Sequence, residues 1–165
     1  MPKIEKRYRK LVFLVWFLTL DLIMFGAFVR LTDSGLGCPD WPGCYGQLSP
    51  VGAADQIREA YAAMPYGPVS FPKAWIEMVH RYVGAMLGML IIAISYMAWR
   101  HRKVLGHSPA LAIATLLAVC LQGAFGAWTV TMKLMPIIVT AHLLGGMILL
   151  TMMTWLAARE KRHAP

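Results

Sequence analysis

The sequence predicts an all-α membrane protein. Residues 1–165 form one domain, a bundle of four transmembrane helices with both termini cytoplasmic and a long first extracytoplasmic loop. Three observations predict it. The chain is 58% hydrophobic, with a mean hydropathy of +0.56, more apolar than an ordinary soluble domain. Its apolar residues fall in four runs of membrane-spanning length. The Lys and Arg residues behind the net charge of +8 collect beside those runs and form no basic domain of their own, which is an orientation signal and argues against nucleic-acid binding.

The first run, 11–29, follows a segment carrying Lys3, Lys6, Arg7, Arg9 and Lys10. It is too long for the apolar core of a typical signal peptide and no small-x-small site closes it, so it reads as a retained helix. Further helices are expected at 75–99, 110–130 and 136–157. Arg100, Arg102 and Lys103 lie between the second and third, and Arg159, Lys161 and Arg162 follow the fourth; the other side has only Arg30, Arg58, Lys73 and Lys133. The positive-inside rule then gives a multi-pass protein of the bacterial inner (cytoplasmic) membrane, in contact with lipid, its loop 30–73 outside and Arg159–Pro165 a cytoplasmic tail. Trp16, Trp75, Trp99, Trp128 and Trp155 are expected near helix ends, where an amphipathic ring suits the headgroup region. The Gly- and Pro-rich outer loop should be mostly irregular, with one short helix over Ala54–Met64. No tandem repeat is apparent.

Glu77, His80 and Arg81 form the densest cluster of ionisable groups inside a spanning segment, where such groups are costly and usually functional. His80 and His142 each fall about six residues below the expected outer boundary, so both lie roughly 9 Å deep. On facing helices of a bundle, two imidazoles at one level outline a bis-histidine heme site with both as axial ligands of the iron. Interhelical hydrogen bonding is the plainer alternative. Gly84, Gly88, Gly123, Gly126, Gly145 and Gly146 offer room for such a ligand, or simple helix packing. Glu77 neighbours both His80 and Arg81 on one helical surface and could orient the imidazole, handle a proton in catalysis, or pair with Arg81. Arg30 and Arg81 are candidates for holding anionic groups such as heme propionates, against a plain snorkelling role.

Cys38 and Cys44 lie on the expected outer side, where a local bridge is feasible, as a staple or as a redox pair; the lack of Cys-x-x-Cys favours the staple. Cys120 reads as a small packing residue. Asp21, mid-helix, has Gln122 as a conceivable partner at similar depth. His101, His107 and His163 are assigned no task.

The ordered set Gly26-Ala-Phe-Val-Arg30-Leu-Thr-Asp-Ser-Gly-Leu-Gly-Cys38-Pro-Asp-Trp-Pro-Gly-Cys44, Trp75-Ile-Glu77-Met-Val-His80-Arg81, Gln122-Gly-Ala-Phe-Gly126-Ala-Trp-Thr-Val130 and Thr140-Ala-His142-Leu resembles the heme A synthase family. That resemblance implies a membrane oxidoreductase that converts the methyl group of heme O to the formyl group of heme A for cytochrome c oxidase. It implies heme b as cofactor, heme O as substrate, a heme site containing Glu77, His80 and His142, and a disulfide between Cys38 and Cys44. It further implies heme O synthase and cytochrome c oxidase assembly proteins as partners. Family members have eight spanning helices in two homologous halves, and this chain matches the first. The expectation is a half-length heme A synthase-type protein acting as a homodimer or with a second-half partner. The alternatives are a bis-histidine heme b electron-transfer protein and, third, a disulfide-forming quinone oxidoreductase.

Overall fold

A computed structural model describes residues 3–162; His163 and the end of the basic tail lie outside them. Its regular structure consists of six helices: α1 (Lys3–Leu31), α2 (Ala54–Ala63), α3 (Phe71–Arg100), α4 (Arg102–Leu105), α5 (Ala110–Thr131) and α6 (Pro136–Arg162). Four of them, α1, α3, α5 and α6, are long and apolar enough to cross a membrane.

Several boundaries differ from the sequence expectation for physical reasons. α1 starts at Lys3, within the basic segment, because Lys and Arg propagate a helix well and Tyr8 turns inward, where it is fully buried. α3 starts at Phe71, capped by the Ser70 hydroxyl, which accepts from the Lys73 N–H at 3.4 Å, with Pro72 in the first turn. The short α4, unforeseen in the sequence, ends on Gly106 in the left-handed conformation at φ 69°. Trp16 is well inside α1 rather than at its end, and its indole N–H donates to the Thr154 hydroxyl of α6 at 2.9 Å. Cys120 faces outward instead of packing.

The spanning helices run around a square. α1 packs on α3 and α6, α5 packs on α3 and α6, and the backbones of the diagonal pairs stay more than 8 Å apart between Cα atoms. The helices bearing His80 and His142, α3 and α6, therefore face each other across the diagonal.

The buried apolar core is in two parts. The larger fills the basic end of the bundle; its fully buried members stop at Val15 on α1 and begin only at Leu87 on α3 and Leu149 on α6. The smaller lies under the long loop, where Cys38, Cys44, Ala53 and Ile57 pack on Ala74 and Met78 of α3. His80 falls between Met78 and Leu87, in the interval between the two cores.

The basic end is closed by a clamp that the sequence did not announce. His107 Nε2 lies 2.9 Å from Glu160 Oε1 with both side chains buried, and the Tyr8 ring stands 6.0 Å from the imidazole. The loop after α4 is thereby tied to both α1 and α6.

Candidate functional site

The long loop is fixed to α3 by the Glu77–Arg81 pair. Glu77 and Arg81 are one turn apart and form an ion pair with side chains only 5% and 11% exposed. Glu77 Oε2 accepts from the Cys38 N–H at 2.8 Å. The Arg81 guanidinium donates to the carbonyls of Asp40 at 2.8 Å, Gly43 at 2.6 Å and Cys38 at 3.3 Å. Five N–H donors in a rigid fork suit Arg to such a ring of carbonyls. Both side chains are thus engaged with the loop: Arg81 Nη1 and Nη2 point to its backbone carbonyls, while Nε is buried without a hydrogen-bond partner.

The loop itself is tightly built. Cys38 and Cys44 are disulfide-bonded with Cα atoms 4.8 Å apart, and both are fully buried, as suits a staple. Asp40 accepts from the N–H groups of Tyr45 and Gly46 at 2.6 and 2.7 Å. Burial first, and then the Asp40 carboxylate, push the Tyr45 phenol above its ordinary range. Gly37 lies so close to α3 that a Cβ there would stand 2.6 Å from the backbone of Lys73 and Ala74, so only glycine lets the loop approach. At the same end of the bundle, Leu134, in the α5–α6 turn at φ 58°, packs against Gly35.

Below the loop, the two histidines occupy equivalent settings. The His80 ring lies against Gly26 of α1, where a Cβ would come within 3.0 Å of Nε2, and Phe25 stands 5.9 Å away. The His142 ring lies against Gly126 of α5, where a Cβ would come within 3.2 Å of Cε1. The nearby backbone carbonyls are those of Leu22 for His80 and Gln122 for His142, each one turn before the glycine. Gly26 and Gly126 are each five residues from the end of their helix, so both imidazoles lie at one level, about 7.5 Å in from the loop end.

This correspondence is also written in the sequence. Phe25-Gly26-Ala27-Phe28 and Phe125-Gly126-Ala127-Trp128 are 100 residues apart, and each histidine is followed four residues later by a glycine, Gly84 or Gly146. The pairs α1–α3 and α5–α6 are two versions of one helical hairpin. Sequence reading for tandem repeats missed it because His80 follows Gly26 by 54 residues whereas His142 follows Gly126 by 16.

The residues fit a planar, iron-bearing ligand between α3 and α6. The level lies between the two buried cores, glycines stand behind both rings, and a Cβ on the half-buried Gly88 would meet nothing within 4 Å. His142 Nδ1 is buried without a well-formed hydrogen bond. Gln122 Nε2 donates to the His142 carbonyl at 2.7 Å and fixes α6 at this level. Gln122 is therefore not paired with Asp21, which points outward from α1. Arg30 is exposed, one turn beyond Gly26 on the same face of α1.

A family model described as cytochrome oxidase assembly protein matches residues 9–165. A heme A synthase of Shewanella oneidensis is 42% identical over 143 residues, covering 87% of this chain and 42% of that protein. Heme A synthases of Sphingopyxis alaskensis and Alkalihalophilus pseudofirmus are 32% and 29% identical, each over more than four fifths of this chain and less than half of their own. The chain thus spans less than half the length of these relatives.

Proposed function

Because the chain belongs to the heme A synthase (cytochrome oxidase assembly protein) family, we propose that it is a membrane oxidoreductase of the heme A synthase type. On this reading it oxidises the methyl group of heme O to the formyl group of heme A, as a homodimer or with a partner that contributes the second half. It is embedded in the bacterial inner membrane with both termini cytoplasmic. The observation that carries the proposal is the pair of equivalent histidine settings at one level between the two cores.

His80 and His142, on opposite helices, are the residues that would hold a b-type heme by its iron. A bound heme supplies the redox chemistry; the chain's own residues hold, orient and shield it. Gly26 and Gly126 let each imidazole sit against the neighbouring helix, and Arg30 offers a cation to a propionate. Glu77 and Arg81 hold the disulfide loop over the outer end, and Leu134 against Gly35 helps exclude water there. A catalytic proton-handling role for Glu77 requires its carboxylate to leave the Cys38 N–H and Arg81.

A second reading is favoured by the symmetry of the histidine pair: a heme b electron-transfer protein that leaves its heme unmodified. Expression in cells that make heme O but lack their own synthase separates the two. Heme A in the extracted pigment is the expected result. Heme O alone, beside well-folded protein with a b-type spectrum, would refute the enzyme and leave the carrier. His142→Ala should abolish the bound spectrum under either.

A further inference from the structure

We propose that the outward face of α1 is an interface with a second copy of this chain, built around Asp21; the inference deepens the homodimer part of the reading above. Leu14, Phe17, Asp21, Met24, Phe28 and Leu31 are all exposed and spaced three, four, three, four and three residues apart. That alternation is the spacing of a helix–helix seam, which keeps one stripe of side chains facing a parallel partner.

Exposed apolar residues on a spanning helix are ordinary, and α5 supplies an internal comparison. Its positions 100 residues later include Leu117, Leu121 and Trp128, which are also exposed and wholly apolar, as a lipid-facing surface requires. At the position of Leu121, α1 carries Asp21. Among the described residues Asp21 has no hydrogen-bond or ion-pair partner. A carboxyl group near the middle of a spanning helix is costly against hydrocarbon and is found facing protein or water.

A second copy meets the need without any further protein. Copies of one chain insert in the same orientation, so a two-fold axis along the membrane normal sets Asp21 of one protomer opposite Asp21 of its partner at the same depth. With one proton shared between the two carboxyls, a hydrogen bond satisfies both groups in the seam, and the flanking Phe17 and Met24 exclude lipid around it.

The test is made on the full chain in phosphatidylcholine vesicles, with Cys120→Ser removing the exposed thiol. Phe17→Cys and Met24→Cys should cross-link into dimers under mild oxidation, while Leu117→Cys and Leu121→Cys should not. Asp21→Asn, which retains hydrogen bonding, should keep the dimer, and Asp21→Leu should raise its dissociation constant about tenfold. Equal cross-linking from α1 and α5, cross-links only to other proteins, a monomer in every case, or an Asp21→Leu dimer as tight as the parent would each overturn the proposal. The bound-heme spectrum is recorded in parallel. Its absence from all variants would sink the heme site and leave the cross-linking pattern to decide the interface.

Discussion

Replacing Arg81 with Met isolates the job of the charged cluster at the top of α3. The guanidinium pairs with Glu77 and donates to the Asp40, Gly43 and Cys38 carbonyls, and both charged side chains are largely buried. Removing it leaves the Glu77 carboxylate in the protein with the Cys38 N–H as its remaining well-formed contact. Breaking a buried ion pair by deleting one partner costs about 3–5 kcal/mol, mostly because the surviving charge is stranded. That energy should be lost from the attachment of the loop, since most of the lost bonds join α3 to residues 38–43.

The assay follows from the burial of the Cys38–Cys44 bond, which is fully covered and so reducible only when the loop opens. If opening and closing are fast, the rate of reduction by a membrane-impermeant phosphine tracks the open population. A loss of about 3 kcal/mol, the lower end, predicts roughly hundredfold faster reduction, since each 1.4 kcal/mol is a factor of ten. Glu77→Gln keeps an acceptor for the Cys38 N–H and should cost about 1–3 kcal/mol, and the double variant should cost less than the two singles together. An unchanged reduction rate in Arg81→Met, with a shifted or lost heme spectrum, would refute the loop clamp and return Arg81 to a propionate.

Two further outcomes are expected. Serine at Cys38 and Cys44 should cost about 2 kcal/mol of stability, the chain-entropy value for so short a loop, while heme A formation persists under permissive conditions; outright loss of activity in folded protein would favour a redox role instead. Gly26→Ala and Gly126→Ala should each displace an imidazole by a few tenths of an ångström and cost about 1–3 kcal/mol, with matching losses of bound heme by absorption spectroscopy. A loss from only one of them would break the equivalence of the two hairpins.

Much of the architecture was legible because a membrane helix announces itself by composition alone, and the four apolar runs each did so. The equal depth of His80 and His142 could likewise be counted from helix starts. The loop clamp was not legible, because Arg81 and Glu77 address backbone carbonyls and an N–H, groups that every residue carries. The same limit hid the start of α1, since the basic residues read as boundary markers are also good helix formers. Asp21 was singled out but left without an account, because a sequence does not tell which face of a helix points away from its own bundle.

The two hairpins are alike where they touch the proposed ligand and unlike around its edge. Arg30, Glu77 and Arg81 flank the α1–α3 pairing, and the corresponding positions of α5–α6 are Val130, Val139 and Leu143. Two equivalent imidazoles would hold an iron-bearing ring without themselves favouring one rotation of it. A carrier needs nothing more, because an electron leaves a heme equally well in either orientation. An enzyme that alters one methyl group among several must choose a rotation, and only an unsymmetrical edge can choose it. With Arg81 held by the loop, Arg30 is the cation on α1 that a propionate would meet, while Lys133 stands exposed in the α5–α6 turn. The asymmetry of that edge therefore weighs toward the synthase reading over the carrier.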